Sequence, residues 1–335
     1  MDSLSQLVLG AAVGMAVMGR RTALWKAALW GGICGTLPDL DAFIDHGDAV
    51  RNMVLHRAES HALFYLTLVA PFIAAGIAWL HKEIALLRRW WLAVWLALIT
   101  HPLLDWTTVY GTQLWRPFSS EPLGLGSMFI IDPLYTLPLL VGVVAALRTA
   151  PARALRWNAA GLVLSTLYLG WSAWAQHHVT GIATAALAAQ GVQVQKLLVT
   201  PTPFNTVAWR MVVITPQGFR EGFYALTDPG RAVVFDNFAR GETLESAVLG
   251  NPGAQRIAAF SRGFYKLSEK DGRIFITDLR MGQEPFYTFS FAVAERSAQG
   301  IKTITPQAAG LRPDLGPALR WLGRRVLGEP LPPPR

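Results

Sequence analysis

The stretch WWLAVWLALITHPLLDWTTVY, residues 90–110, decides how the chain is read. Residues 90–100 carry no charge and three tryptophans, so they predict a helix that crosses lipid. His101 then stands where that helix meets water. Asp105 follows four residues later, which places a carboxylate one turn from the imidazole on the same helical face. Ionisable groups at membrane depth are costly and tend to mark function. Such a pair can bind a divalent cation from one face, or the aspartate can orient the histidine.

Two earlier segments offer the same chemistry. Pro38-Asp39-Leu40-Asp41 ends a Gly-rich apolar run, and His56-Arg57-Ala58-Glu59-Ser60-His61 precedes another. Together the three segments supply Asp39, Asp41, His56, His61, His101 and Asp105, each near the end of an apolar run. The expectation is one metal centre at the membrane surface. Each segment alone has a plainer reading. Asp39 and Asp41 can be solvated helix-stop acids, since Asp45 and Asp48 make the whole loop acidic. His56 and His61 are separated by about 140° on a regular helix, so they converge only at a loop-to-helix junction. Ser60 is placed to cap the helix that follows, and Arg57 to hold a phosphate or an acidic partner.

The wider composition agrees with a membrane protein. Of 335 residues, 52% are hydrophobic and only 16% charged, with 13 Trp. Soluble domains carry nearer 25% charge. The net charge is +8, but many Lys and Arg lie in short loops beside apolar runs, which fits membrane topology better than a nucleic-acid footprint. No nucleic-acid partner is expected. The single cysteine, Cys34, can form neither an intrachain disulfide nor a cysteine zinc cage, so His and Asp must hold any metal. The N-terminus lacks the basic region and cleavage site of a removable signal peptide.

Outward from residues 90–110, Leu63–Leu80, Phe129–Leu147 and Asn158–Ala175 predict further spans. Leu4–Gly19 and Ala27–Leu37 are shorter runs rich in small residues, which predicts a tight helical hairpin. The count is four to six spans. Basic residues cluster in alternate loops: Arg20, Arg21, Lys26; Lys82, Arg88, Arg89; Arg148, Arg153, Arg156. With these inside, all six candidate ligands fall on the outer face, and everything after Ala175 is extracytoplasmic.

Residues 177–310 change character. Val192–Thr200, Thr206–Thr215, Gly222–Leu226, Arg256–Phe260, Gly263–Leu267, Arg273–Leu279 and Phe286–Ala294 alternate like strands, and Asp271-Gly272 predicts a hairpin turn. The expected architecture is an α-helical membrane bundle over residues 1–176, a β-rich (α+β) extramembrane domain over 177–310, and a flexible Pro/Arg-rich tail over 311–335.

The ordered motifs add a family resemblance. Pro-Asp-x-Asp, His-Arg-x-x-Ser-His and His-Pro-x-x-Asp-x-x-Thr-x-Tyr-Gly-Thr, followed by Trp115-Arg116-Pro117-Phe118, resemble the LexA-regulated, membrane-bound metal-dependent hydrolases of bacterial inner membranes. The likeness covers residues 1–175. It implies that the acid and imidazole positions are Asp39, Asp41, His56, His61, His101 and Asp105. It also implies a distant similarity to zinc-dependent phospholipase C and single-strand nucleases. Imidazole plus carboxylate suits zinc, with manganese as the second choice. Three His and three Asp exceed one tetrahedral shell, so some stand behind the ligands or two metals share the site. Asp41 or Asp105 is then the candidate general base, and Arg57 and Arg116 are the candidates for an anionic group. The expected substrate is a phosphoester or lipid-linked molecule at the outer face, ringed by Trp106, Tyr110 and Trp115. The rival is a non-catalytic membrane-anchored scaffold whose β-rich domain binds a partner. Oligomeric state is not legible.

Overall fold

A computed structural model describes residues 1–335. Its contacts divide into two compact units. Met1–Ile44, Arg57–Ala173 and Pro203–Asn205 form the first; Asp45–His56, Trp174–Thr202 and Thr206–Arg335 form the second. A helical N-terminal region is thus followed by a β-sheet-rich C-terminal one.

The helices are α1 (Ser3–Met18), α2 (Leu24–Thr36), α3 (Ala49–Leu55), α4 (Leu63–Leu80), α5 (Leu87–Trp106), α6 (Pro133–Arg148) and α7 (Pro151–Ala189). Helix α3 belongs to the second unit. In the first, α1 is central: it packs against α2, α5 and α6. Asp2 caps it, accepting from the backbone N–H groups of Leu4 and Ser5. The predicted hairpin of α1 and α2 is present, and glycines explain it. Gly10 and Gly14 on α1 face Gly31 and Gly35 on α2 so closely that a Cβ at Gly31 would collide with the Gly10 carbonyl. Met15, Met18, Trp90, Leu98, Tyr135 and Leu139 fill the core around them.

Two helical stretches are long and apolar enough to cross a bilayer, Leu63–Leu80 and Ile84–Trp106. That is fewer than the four to six expected. Helices α1 and α6 are apolar but stop at 16 residues each, and the predicted run Asn158–Ala175 lies inside the 39-residue α7.

The second unit holds two antiparallel sheets. The first is ordered β1 (Lys196–Pro201), β2 (Ala208–Thr215), β3 (Gly218–Ala225), β4 (Phe235–Phe238). The second contains β5 (Tyr265–Lys270), β6 (Arg273–Asp278), β9 (Ser290–Ser297) and β10 (Gly300–Ala308), in the order β10-β9-β6-β5; β7 (Gly282–Gln283) pairs with β8 (Phe286–Tyr287). Strand β2 is buried along its whole length. Its Trp209 and Met211 pack with Val179 and Ala183 of α7, and Val212 and Ile214 pack with Phe264, Leu279 and Tyr287. The Asp271-Gly272 turn forms as expected: both residues have positive φ (53° and 72°), and Lys270 pairs with Arg273.

One strand expectation fails here. Arg256–Phe260 is not a strand. After the short α8 (Glu245–Val248) it ends α9 (Pro252–Phe260), because Asn251 caps that helix, Pro252 opens it, and Ala254, Ile257 and Phe260 bury one face. Five alternating residues are too short to outweigh those signals. The stretch 311–335, expected to be flexible, contains α10 (Leu315–Val326), capped by Asp314.

Candidate metal centre

Three short-range features deliver the side chains. A 3-10 turn, Leu37–Phe43, begins with Pro38 and carries Asp39 and Asp41 straight off α2. A second 3-10 turn, Glu59–His61, leads into α4. His101 and Asp105 sit one turn apart on α5. Asp39, His61, His101 and Asp105 each bring one ligand-type atom within 4.8 Å of the others. His61, His101 and Asp105 are fully buried, while the Asp39 side chain keeps 19% of its exposure.

The distances are close to the edges of one coordination shell. His61 Nε2 lies 3.0 Å from His101 Nε2, 3.5 Å from Asp39 Oδ1 and 3.2 Å from Asp105 Oδ2. His101 Nε2 lies 3.3 Å from Asp39 Oδ1 and 3.5 Å from Asp105 Oδ2. A tetrahedron built on bonds of ~2.0–2.1 Å has edges of about 3.3–3.4 Å.

Hydrogen bonding sets both imidazoles for metal binding. His101 Nδ1 lies 2.6 Å from the Gly35 carbonyl, which can only accept, so Nδ1 carries the proton and Nε2 the lone pair of the neutral ring. Ser60 donates its hydroxyl proton to Asp41, so its oxygen must accept from His61 Nδ1 at 2.9 Å. In the neutral ring that leaves a lone pair on His61 Nε2 as well. Two lone pairs and two carboxylate oxygens therefore converge on one buried point. Asp105 Oδ2 accepts no hydrogen bond there, although Gln6 Nε2 (3.0 Å) and the Met1 amino group both donate to Oδ1. Arg57 Nε lies 3.2 Å from Oδ2 without making a hydrogen bond, so that oxygen keeps a lone pair open to a further cation.

The electrostatics agree. Burial alone would lower the basicity of His61, but contacts with Asp105, Asp39 and Asp41 overcome it and push the imidazole up to about 9, so a metal ion competes with a proton for Nε2. Burial likewise works to raise Asp39, yet His101 and His61 hold it well below the usual carboxylate range. The cluster wants a positive charge in its midst.

The other expected residues are placed differently. Asp41 stands behind His61: its Oδ2 accepts from Ser60 and the Arg57 backbone N–H (3.0 Å) and lies 3.5 Å from His61 Nδ1. His56 falls in the second unit and is not among the four. Arg57 has a left-handed backbone (φ 65°), fixed by Asp41 at its N–H and by the Gln113 N–H (3.0 Å) at its carbonyl. Its Nε comes 3.2 Å from Asp105 Oδ2, and its guanidinium lies 4.9 Å from the centre of the Tyr110 ring. Arg116 pairs with Glu59 and reaches Gln113 Oε1 at 2.7 Å. Asp132 caps α6 and accepts from Tyr168 at 2.9 Å. Sequence reasoning missed Gln6, whose one signal is an amide inside an apolar run, and the Gly35 carbonyl, which leaves no signal.

Groups that orient a ligand from behind typically hold 10–100-fold in metal affinity. Asp41→Asn is therefore expected to weaken metal binding by roughly that factor, read by competition with a chelator.

A helical unit with two bilayer-length stretches, whose ends gather two imidazoles and two carboxylates, defines a membrane protein with a possible metal site. Residues 1–179 match the family described as YdjM inner membrane protein, and the chain belongs to that family of inner membrane proteins. It is also similar to the uncharacterized protein YfhP of Bacillus subtilis (strain 168), 25% identical over 267 residues, which are 74% of this chain and 75% of that one. No solved structure matches it. Neither match names an enzyme.

Proposed function

We propose that the protein is a membrane-bound metal-dependent hydrolase acting on a phosphoester or lipid-linked substrate at the outer face of the inner membrane. One observation carries this reading: two histidines held by their Nδ1 partners bring their Nε2 atoms 3.0 Å apart beside an Asp105 oxygen that accepts no hydrogen bond, with only the Arg57 guanidinium paired to it by charge. His61, His101 and Asp105 are the buried ligands, with Asp39 on the side water reaches. The donor set suits zinc before manganese. A divalent cation there supplies a hydrolytic water at neutral pH and positive charge for a phosphoryl oxygen. Arg57, aimed beside Asp105 and braced on Tyr110, binds the anionic group. Trp106 and Trp115, both exposed, suit the depth of lipid headgroups.

In the same proposal α6 and α7 join the two long helices as spans, and α1 and α2 raise the count from four to six. The basic loops lie inside, and the C-terminal unit is extracytoplasmic.

The test uses the full chain in detergent, with bis(p-nitrophenyl) phosphate as substrate. Turnover should be lost to a chelator, return with zinc or manganese, and fall about 100-fold in Arg57→Lys. Protein that holds an equivalent of either metal yet turns over no phosphoester overturns the hydrolase reading and leaves a membrane-anchored binding protein.

A further inference from the structure

Helix α10 is held to its own unit by one face only. Trp321 meets Phe223 edge-on at 5.3 Å, and its Nε1 donates to the Leu331 carbonyl at 3.3 Å. Arg325, one turn on, forms a buried ion pair with Asp228, and Thr227 donates to the Val326 carbonyl at 3.1 Å. These contacts fix the rotation of the helix. They leave the opposite face uncovered.

That face has a regular composition. Leu315 and Leu319 lie on the helix, Leu311 precedes it and Leu327 is its C-cap; they keep the four-residue spacing that only Gly323 interrupts and are 69%, 51%, 58% and 80% exposed. Arg312, Arg320 and Arg324 each follow one position of that spacing and are exposed as well. Arg324 shares Glu329; Arg312 and Arg320 point charge outward. In the rest of the second unit the exposed large apolar side chains are Trp174, Val194 and Val234, so the leucines are concentrated on this one segment. An exposed leucine row flanked by arginines has the chemistry of an interfacial helix, apolar groups for the acyl boundary and guanidiniums for lipid phosphates.

We propose that this face of α10 lies on an anionic phospholipid surface. The charge identifies the occupant: Arg320 on the helix and Arg312 just before it, with Arg324 shared by Glu329, complement a negatively charged headgroup layer. The chain belongs to an inner membrane family, so such a surface is at hand without diffusion. The inference does not depend on the metal centre.

The experiment uses the full chain in lipid nanodiscs. Cys34 is replaced by alanine, and an environment-sensitive nitrobenzoxadiazole label is attached at Leu319→Cys or, as a control on β10, at Thr303→Cys. In discs of equal parts phosphatidylglycerol and phosphatidylcholine, the label at 319 should shift to the blue and brighten severalfold relative to pure phosphatidylcholine discs. It should be quenched by doxyl-labelled lipid, and the gain should vanish with Arg320→Glu/Arg324→Glu or high salt. The label at 303 should not respond. Equal emission from 319 in both kinds of disc, without lipid quenching, overturns the proposal. A blue shift in detergent that grows with protein concentration also overturns it, since a second copy of the chain would then cover the face.

Discussion

Replacing Asp105 with alanine is expected to empty the metal centre and to cost about 3–5 kcal/mol of stability. The two effects have different causes. Oδ2 is the buried oxygen that no hydrogen bond satisfies, so its loss opens the ligand set. Arg57 Nε lies 3.2 Å from that same oxygen in a buried site, and its charge is left unpaired when the carboxylate goes. His101→Ala should lose the metal with a smaller loss of stability, because no charge is stranded. His56→Ala should keep the metal. Elemental analysis of the purified variants reads the first effect, and thermal unfolding the second. If His56→Ala empties the protein as fully as Asp105→Ala does, the four-residue cluster is not the site.

The second large effect is expected at a glycine of the α1–α2 hairpin. Gly31→Val places a branched side chain against the Gly10 carbonyl, where the backbones of α1 and α2 leave no room. Overpacking typically costs about 1–3 kcal/mol, and the upper end is expected here because backbone, not a flexible side chain, must move. The metal centre should suffer too. Helix α2 carries the Gly35 carbonyl that fixes His101, and α1 carries Gln6, which holds Asp105. Gly76→Ala in α4 is the control: nothing lies within 4 Å of a Cβ there, so stability should hold or rise by roughly 0.5–1 kcal/mol. Equal melting temperatures for Gly31→Val and Gly76→Ala would refute the close-packed hairpin.

Much of this is legible in the amino-acid sequence. The His101/Asp105 pair is set by helical periodicity alone, because four residues are about one turn wherever the helix lies. The Asp271-Gly272 hairpin and the close approach of α1 and α2 follow from local backbone chemistry and small side chains. The division into a helical and a β-rich part follows from the change of hydropathy period near residue 177. Where signals competed over a few residues, they misled: alternation in Arg256–Phe260 lost to the Asn251-Pro252 helix start.

The sequence by itself determined which residue types were on offer and that they sat at the ends of apolar runs, since spacing and hydropathy are properties of the linear chain. Only the tertiary structure decided that Asp39, His61, His101 and Asp105 converge while Asp41 turns to Ser60 and His56 joins another unit. That choice depends on how α1, α2 and α5 pack and on a backbone carbonyl at Gly35, and a carbonyl is the same at every position until folding gives it a neighbour.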